Sequence, residues 1–501
     1  MQGINKLYFR LSGEATWMHA MVYLLIVLFS SCRERHTPNR FLEGAYWKDQ
    51  ALSDILPPWT KHAFDSVQGS FHCNLDEQWQ LDGEDIRYPS MISRHLFSYS
   101  AAYLMSGEEP YLDKARAIKN YLLNHAWDRI NGGWYDALQP SGDPMEYSKS
   151  TFVQVYVITG LTMYYTVTHD QEILDYINKS NDLLEQKAWD PKHGGYFDAL
   201  SRDWIVNSQV KSCSAQLAPI SGYLMYLFLA THNTKYLQQA ERISDTILKK
   251  MQDPVSGWIM ESFDKDWIYQ QPVANESEIN IGHNIEVAWS LLRLYTLDQR
   301  KDHLQSAMTL ADKVHQYGFN PVNGVWYATT GRVKPQMHSN FTYWWIQAYG
   351  NMVDLYLNRI NPGQQYLKNF DRGALFWDTY FLDKIHGDTH LSVLEDGAIK
   401  ESHKANRYKA SYHSMEHCLL NYLYLENWVH HKPLTLFFKL DTAKAGEAFY
   451  PLPIESTDLK ITSIQINNKN VEATITREGY ITLPELKDTR IEVHLQSQEE
   501  K

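Results

Sequence analysis

Asp190-Pro191-Lys192-His193-Gly194-Gly195-Tyr196-Phe197-Asp198 is one copy of a short glycine-rich segment that recurs along the chain. Related segments occupy residues 131–136, 253–258 and 320–327, with a fainter copy at 383–388. Their key glycines are spaced by 62, 63, 67 and 63 residues and are Gly132, Gly194, Gly257, Gly324 and Gly387. A spacing this regular indicates one supersecondary unit that is used repeatedly.

The stretches between these segments have helical periodicity and few helix-breaking residues. Helices are predicted before and after the glycine-rich segments and at both ends of the series, at residues 90–105, 111–126, 150–166, 174–188, 216–230, 235–251, 285–296, 303–317, 343–357 and 412–427. About six helix pairs close into an all-α fold, an (α/α)6 toroid whose alternate helices line the centre. We assign this toroid to residues 46–430, with an open solenoid as the structural alternative.

From Leu434 onward the pattern changes to short alternating or β-branched stretches separated by turn residues. Strands are predicted at residues 434–438, 461–466, 472–476, 480–483 and 491–495. The sequence therefore predicts a small β-rich C-terminal module over residues 431–501, and this module contains no catalytic-looking cluster.

The N-terminus has a nine-residue apolar run at 21–29, followed by Ser30-Ser31-Cys32. This run is too short for a comfortable membrane span. Small residues before a cysteine are typical of a bacterial lipoprotein signal, which predicts a signal peptide at 1–31, lipidation of Cys32 and a linker at 32–45. The protein would then be lipid-anchored in the bacterial cell envelope, with membrane contact only through that lipid. An ordinary secretory peptide or a buried strand is the alternative.

The composition limits the partners. The 501 residues carry a net charge of −12 without a long basic run, which argues against nucleic acid. The 16 Trp and 33 Tyr suit both a core and a cleft that stacks on sugar rings. The remaining cysteines (Cys73, Cys213 and Cys418) are widely spaced and predict neither a disulfide framework nor a zinc site.

The second helix of each pair begins just after a loop, so residues at these helix N-termini are expected to converge on the centre of the toroid. In Gly282-His283-Asn284-Ile285-Glu286, His283 lies at a helix start with Glu286 one turn later on the same face. An imidazole beside a carboxylate suits proton transfer. The other polar or aromatic helix starts contain Arg94, the group Trp344, Trp345 and Gln347, and His413.

These motifs resemble the N-acylglucosamine 2-epimerase and cellobiose 2-epimerase family over most of residues 45–430. Gly282–Glu286 is similar to its Gly-His-Asp-Ile-Glu motif, and Trp344–Ala348 to its Trp-Trp-x-Gln-Ala motif. The helix containing Arg94 and the pair Tyr412-His413 also match. At 214–218 this chain lacks the histidines found in cellobiose epimerases, which affects the residues available for ring opening and recognition.

The resemblance implies a carbohydrate 2-epimerase or aldose–ketose isomerase that acts on the reducing end of a mono- or disaccharide through an enediolate. It implies His283 and His413 as the acid/base pair, Glu286 as the residue that orients or tunes His283, and Arg94 as the group that stabilises the oxyanion. The residues that it implies for substrate binding are Trp344, Trp345, Gln347, Tyr412, Gln216 and Glu416. No metal or organic cofactor is expected. The sequence does not determine the oligomeric state.

Other classes of protein remain as alternatives. Toroids of this kind also carry glycoside hydrolases, which need two facing carboxyl groups. Glu286, Glu416 and Asp143 are candidates for such a pair, although no motif singles out two of them. A non-catalytic glycan-binding envelope lipoprotein is another alternative. The segment 413–417 fits His-x-x-Glu-His, a zinc peptidase pattern that arises easily by chance.

Overall fold

Twelve helices form a closed ring in the computed structural model, which describes residues 39–270, 278–456, 459–471, 474–475 and 479–497. The predicted signal peptide and Cys32 lie outside the described residues. With the three adjoining helical segments of residues 213–231 counted as one helix, α6, the helices are α1 (Gly44–Gln50), α2 (Pro89–Ser106), α3 (Glu109–Tyr121), α4 (Thr151–Thr168), α5 (Gln171–Leu183), α6 (Cys213–Thr231), α7 (Thr234–Thr246), α8 (Ile281–Asp298), α9 (Lys301–Gly318), α10 (Trp344–Ile360), α11 (Gln364–Phe376) and α12 (Tyr412–Tyr424).

Even-numbered helices line the centre and odd-numbered helices cover them. The inner helix α2 buries all but one of its 18 residues, whereas the outer helix α7 is amphipathic. The inner helix α6 is long and apolar enough to cross a membrane, but it is mostly buried in the ring. The last helix, α12, packs against both α1 and α2 and so closes the ring. The predicted toroid is therefore confirmed over the open solenoid.

The glycine-rich segments are tight turns that end the outer helices. In each turn the key glycine has a φ between +70° and +85° and its N–H donates to the carbonyl of the aspartate or asparagine four residues earlier. A sixth copy, at Gly69 with Asp65, lies 63 residues before Gly132. This copy was not predicted from the sequence because it lacks the glycine followed by aromatic residues that marks the other copies. With it, each of the six outer helices is followed by one such turn.

Short strands follow these turns and lead the chain into the inner helices. They are β1 (Phe64–Asp65), β2 (Ser70–Phe71), β3 (Ala137–Leu138), β4 (Pro144–Glu146), β5 (Lys149–Ser150), β6 (Ala199–Leu200), β7 (Val206–Ser208), β8 (Lys211–Ser212), β9 (Ser262–Phe263), β10 (Glu278–Asn280), β11 (Thr329–Gly331), β12 (Phe341–Tyr343), β13 (Ser392–Leu394) and β14 (Ile399–Glu401). Each strand that immediately precedes an inner helix pairs with the strand after the next turn, as β8 pairs with β9. This pairing links neighbouring repeats at the face where the inner helices begin.

A buried amide side chain holds four of the turns in place. The side-chain oxygens of Gln154, Gln216, Asn284 and Gln347 each accept the backbone N–H that lies two residues after the key glycine, at 2.7–3.1 Å. Each amide is the fourth residue of its inner helix. Gln216 and Gln347 are fully buried by this contact. Their polar atoms are used by the backbone, so this geometry favours a structural role for both residues, and substrate binding by them stays a prediction.

Replacing Gln216 by Ala is expected to lower the free energy of unfolding by about 1–3 kcal/mol, because the N–H and carbonyl of Tyr196 lose their buried partner. Steady-state constants of the folded protein should be unchanged. Denaturant titration and kinetics measure the two effects. The matched control is Gln154→Ala, which removes the equivalent contact to Trp134. A raised KM with unchanged stability would restore a role for Gln216 in substrate binding.

The C-terminal module is a pair of small antiparallel sheets. Its strands are β15 (Leu434–Ala443), β16 (Ala448–Phe449), β17 (Leu459–Ile466), β18 (Lys469–Val471), β19 (Thr474–Ile475), β20 (Ile481–Thr482) and β21 (Leu486–Ser497). The sheet orders are β15-β21-β17-β18 and β16-β20-β19. Strand β15 packs on α2 and α4. Glu455 reaches into the ring, where its carboxylate forms a fully buried ion pair with Arg293 of α8 at 2.6 Å.

Candidate functional site

A cavity of about 320 Å³ opens among the N-terminal ends of the inner helices. Six residues of the sequence prediction line it: Arg94, His283, Glu286, Trp344, Trp345 and His413. The rest of its lining comes from Phe152, Tyr156, Ser214, Tyr343, Leu391, Glu401, Asn406 and Tyr408. Residues from α2, α8, α10 and α12 thus meet as the toroid geometry predicts. The size and mixed polar and aromatic lining are typical of a small-molecule site.

His283 is held by Glu261, a residue that sequence analysis did not identify. Asn280 caps α8 by accepting the backbone N–H of His283. The ring Nδ1 lies 2.8 Å and 3.0 Å from the two carboxylate oxygens of Glu261. Burial alone would lower the pKa of His283, but the negative charge of Glu261, aided by Glu286, outweighs it and raises the pKa to about 9. His283 therefore carries a proton at neutral pH.

Glu286 acts on His283 by charge, while Glu261 makes the hydrogen bonds to its ring. Glu286 is buried, which raises the pKa of its carboxyl group. Of the two roles predicted for Glu286, this geometry favours tuning His283, and Glu261 is the residue that orients it. No motif marks Glu261, because it follows a turn and lies 22 residues before His283.

His413 has the opposite electrostatic environment. It is the second residue of α12, and its ring lies against those of Trp344 and Tyr349, with centroids 5.7 Å away in each case. Burial, with the positive charge of Arg94 nearby, lowers the pKa of His413 well below its usual value. Its Nδ1 has no hydrogen-bond partner among the described residues. His413 is therefore a neutral imidazole that can accept a proton.

One indole connects the two histidines. The ring of Trp345 lies 5.4 Å from that of His283 and 6.3 Å from that of His413, centroid to centroid. A Cβ on Gly282 would lie 2.3 Å from this indole, so the glycine allows the close approach. Both imidazoles consequently face one cavity beside a shared aromatic surface.

Arg94 presents a positive charge to the same cavity. Its Nη1 donates to the carbonyl oxygen of Tyr408 at 2.7 Å, and its guanidinium lies over the ring of Tyr156 at 3.7 Å. Within the described residues Arg94 forms no ion pair, and its Nε has no hydrogen-bond partner. A buried guanidinium without a carboxylate partner can stabilise an oxygen on which negative charge develops during a reaction.

Two further predicted residues lie below the cavity. Glu416 is fully buried and accepts hydrogen bonds from the hydroxyls of Tyr226, Tyr349 and Tyr412 at 3.0–3.2 Å. Burial raises the pKa of Glu416 to about 7. Glu416 and Tyr412 bond to each other and are not among the residues that line the cavity, so the structure does not bring them together with the other predicted residues, and substrate binding by them stays a prediction.

The zinc peptidase pattern is not assembled in space. His417 packs between Trp47 and Trp377, while His413 faces the cavity. Among the described residues, the groups of side chains that could share a metal ion contain neither His413 nor Glu416 nor His417.

Replacing Glu261 by Gln is expected to move the alkaline limb of the pH–rate profile to lower pH. The carboxylate raises the pKa of His283, so its removal lowers that pKa and the proton is lost earlier as pH rises. Profiles of kcat/KM between pH 6 and 10 measure this shift, with Glu401→Gln as the control, since Glu401 lines the cavity without contacting His283. An unmoved alkaline limb would contradict the role of Glu261.

Comparisons with known proteins identify the family of the chain. Residues 69–417 match the model of the family described as N-acylglucosamine 2-epimerase (GlcNAc 2-epimerase). The chain is 26% identical over 390 residues to the cellobiose 2-epimerase of Bacteroides fragilis, covering 73% of this chain and 95% of that protein. It is 23% identical over 364 residues to the D-mannose isomerase of Marinomonas mediterranea, covering 70% and 90%.

Among solved structures, the cellobiose 2-epimerase of Bacillus thermoamylovorans superposes with a TM-score of 0.70 at 21% identity, covering 76% of this chain and 98% of that one. This likeness confirms the toroid fold. The family match covers the helices that build the cavity and ends before the C-terminal module. The family predicted from the motifs is confirmed: the chain belongs to the N-acylglucosamine 2-epimerase family.

Proposed function

We propose that this protein epimerises a reducing sugar at C2 or interconverts the aldose with its ketose. The observation that carries the proposal is the pair of histidines on one cavity, one held protonated and one held neutral. Proton abstraction beside a carbonyl needs a base and an acid at the same time. Family membership and the printed activities of its relatives, cellobiose 2-epimerase and D-mannose isomerase, support this class of isomerase.

The residues divide the work as follows. Neutral His413 takes the proton from C2 of the open-chain sugar, and negative charge develops on the carbonyl oxygen. Arg94 and protonated His283 stabilise that oxygen. Return of a proton to the opposite face of C2, from His283, gives the epimer. Transfer of the O2 hydroxyl proton to O1, followed by return of a proton to C1, gives the ketose. The chain's own side chains supply each of these proton transfers.

The charges of the cavity favour an uncharged sugar. Glu286 and Glu401 oppose Arg94 and His283, so no surplus positive charge awaits a phosphate or a carboxylate. Trp344 and Trp345 offer indole surface for a sugar ring, the role that we propose for them. D-Mannose and cellobiose, taken from the names of the relatives, are the first substrates to test.

Proton–deuterium exchange in D₂O tests the proposal. The protein is incubated with D-mannose, D-glucose, N-acetylglucosamine or cellobiose, and the C2 and C1 protons are followed by NMR. Exchange at C2 with formation of the 2-epimer or the ketose is the expected result. Glycosidic cleavage of cellobiose without exchange would favour a glycoside hydrolase, and a bound but unchanged sugar would favour a glycan-binding protein.

We further propose that the protein is anchored at the bacterial cell envelope through Cys32. The support is the apolar run at 21–29 that precedes Ser30-Ser31-Cys32 in the sequence. Metabolic labelling with a fatty acid should mark the full chain and not the Cys32→Ala variant. Equal labelling of the full chain and the Cys32→Ala variant would contradict lipidation at Cys32.

A further inference from the structure

Three side chains with metal-ligating atoms meet beside the cavity: Cys213, Glu261 and His283. The thiol sulfur, a carboxylate oxygen and a ring nitrogen all lie within 4.8 Å of one another. They come from the first residue of α6, the residue before β9 and the third residue of α8. These residues are far apart in the chain and match no known spacing of metal ligands, so the sequence alone predicts no metal site here.

Backbone contacts fix two of the three positions. The backbone N–H of Cys213 donates to the carbonyl oxygen of Glu261 at 2.7 Å. The adjoining strands β8 and β9 are paired, with Ser212 opposite Ser262. His283 is in turn fixed by the Asn280 cap. The backbone therefore sets the positions of these three residues relative to one another.

The ligand chemistry matches a thiophilic cation. Thiolate, carboxylate and imidazole are the ligands of zinc, at about 2.0–2.3 Å, which sets tetrahedral ligand atoms about 3.3–3.8 Å apart. The three ligand atoms already lie within 4.8 Å of one another. Cys213 is fully buried, whereas the side chains of Glu261 and His283 are 31% and 18% exposed. These two partly exposed side chains leave the group accessible to a cation from solvent.

We propose that Cys213, Glu261 and His283 form a site for a divalent cation of the zinc class, and that the bound cation inhibits the enzyme. The inhibition rests on the proposed function, in which His283 transfers a proton to the sugar. The cation takes the place of the proton on Nδ1, the ring nitrogen that faces Glu261, and also displaces the thiol proton, and both protons go to solvent. The other ring N–H then belongs to a neutral, metal-bound imidazole, which is too weak an acid to donate to the sugar.

Binding is tested on the full chain without substrate. Calorimetric titration with Zn²⁺ should show one site per chain, and Co²⁺ should give a thiolate-to-cobalt charge-transfer band. Cys213→Ser should weaken binding by at least about tenfold, the loss seen even for outer partners of metal sites. Cys73→Ser and Cys418→Ser are matched controls at buried free thiols outside the group and should bind normally. No saturable binding, or equal binding by Cys213→Ser, would overturn the site.

Inhibition is tested with the C2 exchange assay, with Zn²⁺ added and then removed by a chelator. Wild type should lose exchange and regain it, while Cys213→Ser should keep its exchange and need at least about tenfold more Zn²⁺ for the same loss. Bound Zn²⁺ with undiminished exchange would overturn the inhibition. If no sugar shows exchange, the proposed function fails, and the binding titrations still decide the cation site.

Discussion

Replacing His413 by Asn is expected to lower C2 exchange by about 10²–10⁴-fold, the usual contribution of a positioned general base. The buried imidazole is neutral and faces the cavity beside Trp344. An Asn side chain in its place cannot act as the base that takes the C2 proton. Exchange rates in D₂O measure the loss. His403→Asn is the matched control, because His403 is an exposed residue paired with Asp82 and should keep full activity.

His283→Asn is expected to give a loss of similar size, for the opposite reason. This residue holds the proton that the other histidine lacks, and Asn cannot donate it. Circular dichroism and thermal melting of both variants confirm that the fold is kept. Retained exchange in both Asn variants would exclude the two-histidine mechanism, whatever the substrate.

Replacing Glu455 by Ala is expected to lower the free energy of unfolding by about 3–5 kcal/mol. Glu455 and Arg293 are both fully buried and joined at 2.6 Å and 2.9 Å, so the variant leaves a guanidinium in the core without a counter-charge. Denaturant titration measures the loss. Asp182→Asn is the control, because it breaks the exposed Lys235–Asp182 pair and should cost less than about 1 kcal/mol.

A double variant separates the ion pair from the packing around it. Arg293→Met with Glu455→Leu removes both charges, and it is expected to recover most of the stability, since an apolar pair of similar volume leaves no unpaired charge. A stability loss for Glu455→Ala no greater than that of Asp182→Asn would show that the buried ion pair does not contribute to the stability of the fold. The expected result makes the module part of the folded core and not an independent appendage.

Sequence periodicity predicted most of the fold. The glycine spacing identified the repeating unit because a left-handed glycine and an Asx-type turn are local requirements, visible in a few consecutive residues. The turn at Gly69 was missed because its neighbours are Ser70 and Phe71, without the second glycine and aromatic pair of the other copies. The C-terminal strands were also predicted, since alternation of side chains is equally local.

The sequence correctly placed some of the predicted site residues in the cavity and not others. His283, His413 and Arg94 were identified because they lie at helix starts, which the toroid brings to one face. Gln216 and Gln347 also lie at helix starts, but their side chains point to the turn behind them and bind backbone. A helix face cannot be assigned to the cavity or to the turn without the packing of its neighbours.

The sequence by itself determined the repeat, the six helix pairs, the β module and the two histidines, because each follows from residues close together in the chain. Only the tertiary structure decided their chemistry. Glu261 approaches His283 from the preceding turn and strand, and Arg94 approaches His413 from the neighbouring helix where α12 packs on α2. With burial, these charges raise the pKa of one imidazole and lower that of the other. A pKa depends on burial and on charges within a few ångströms, and the fold alone brings those charges together.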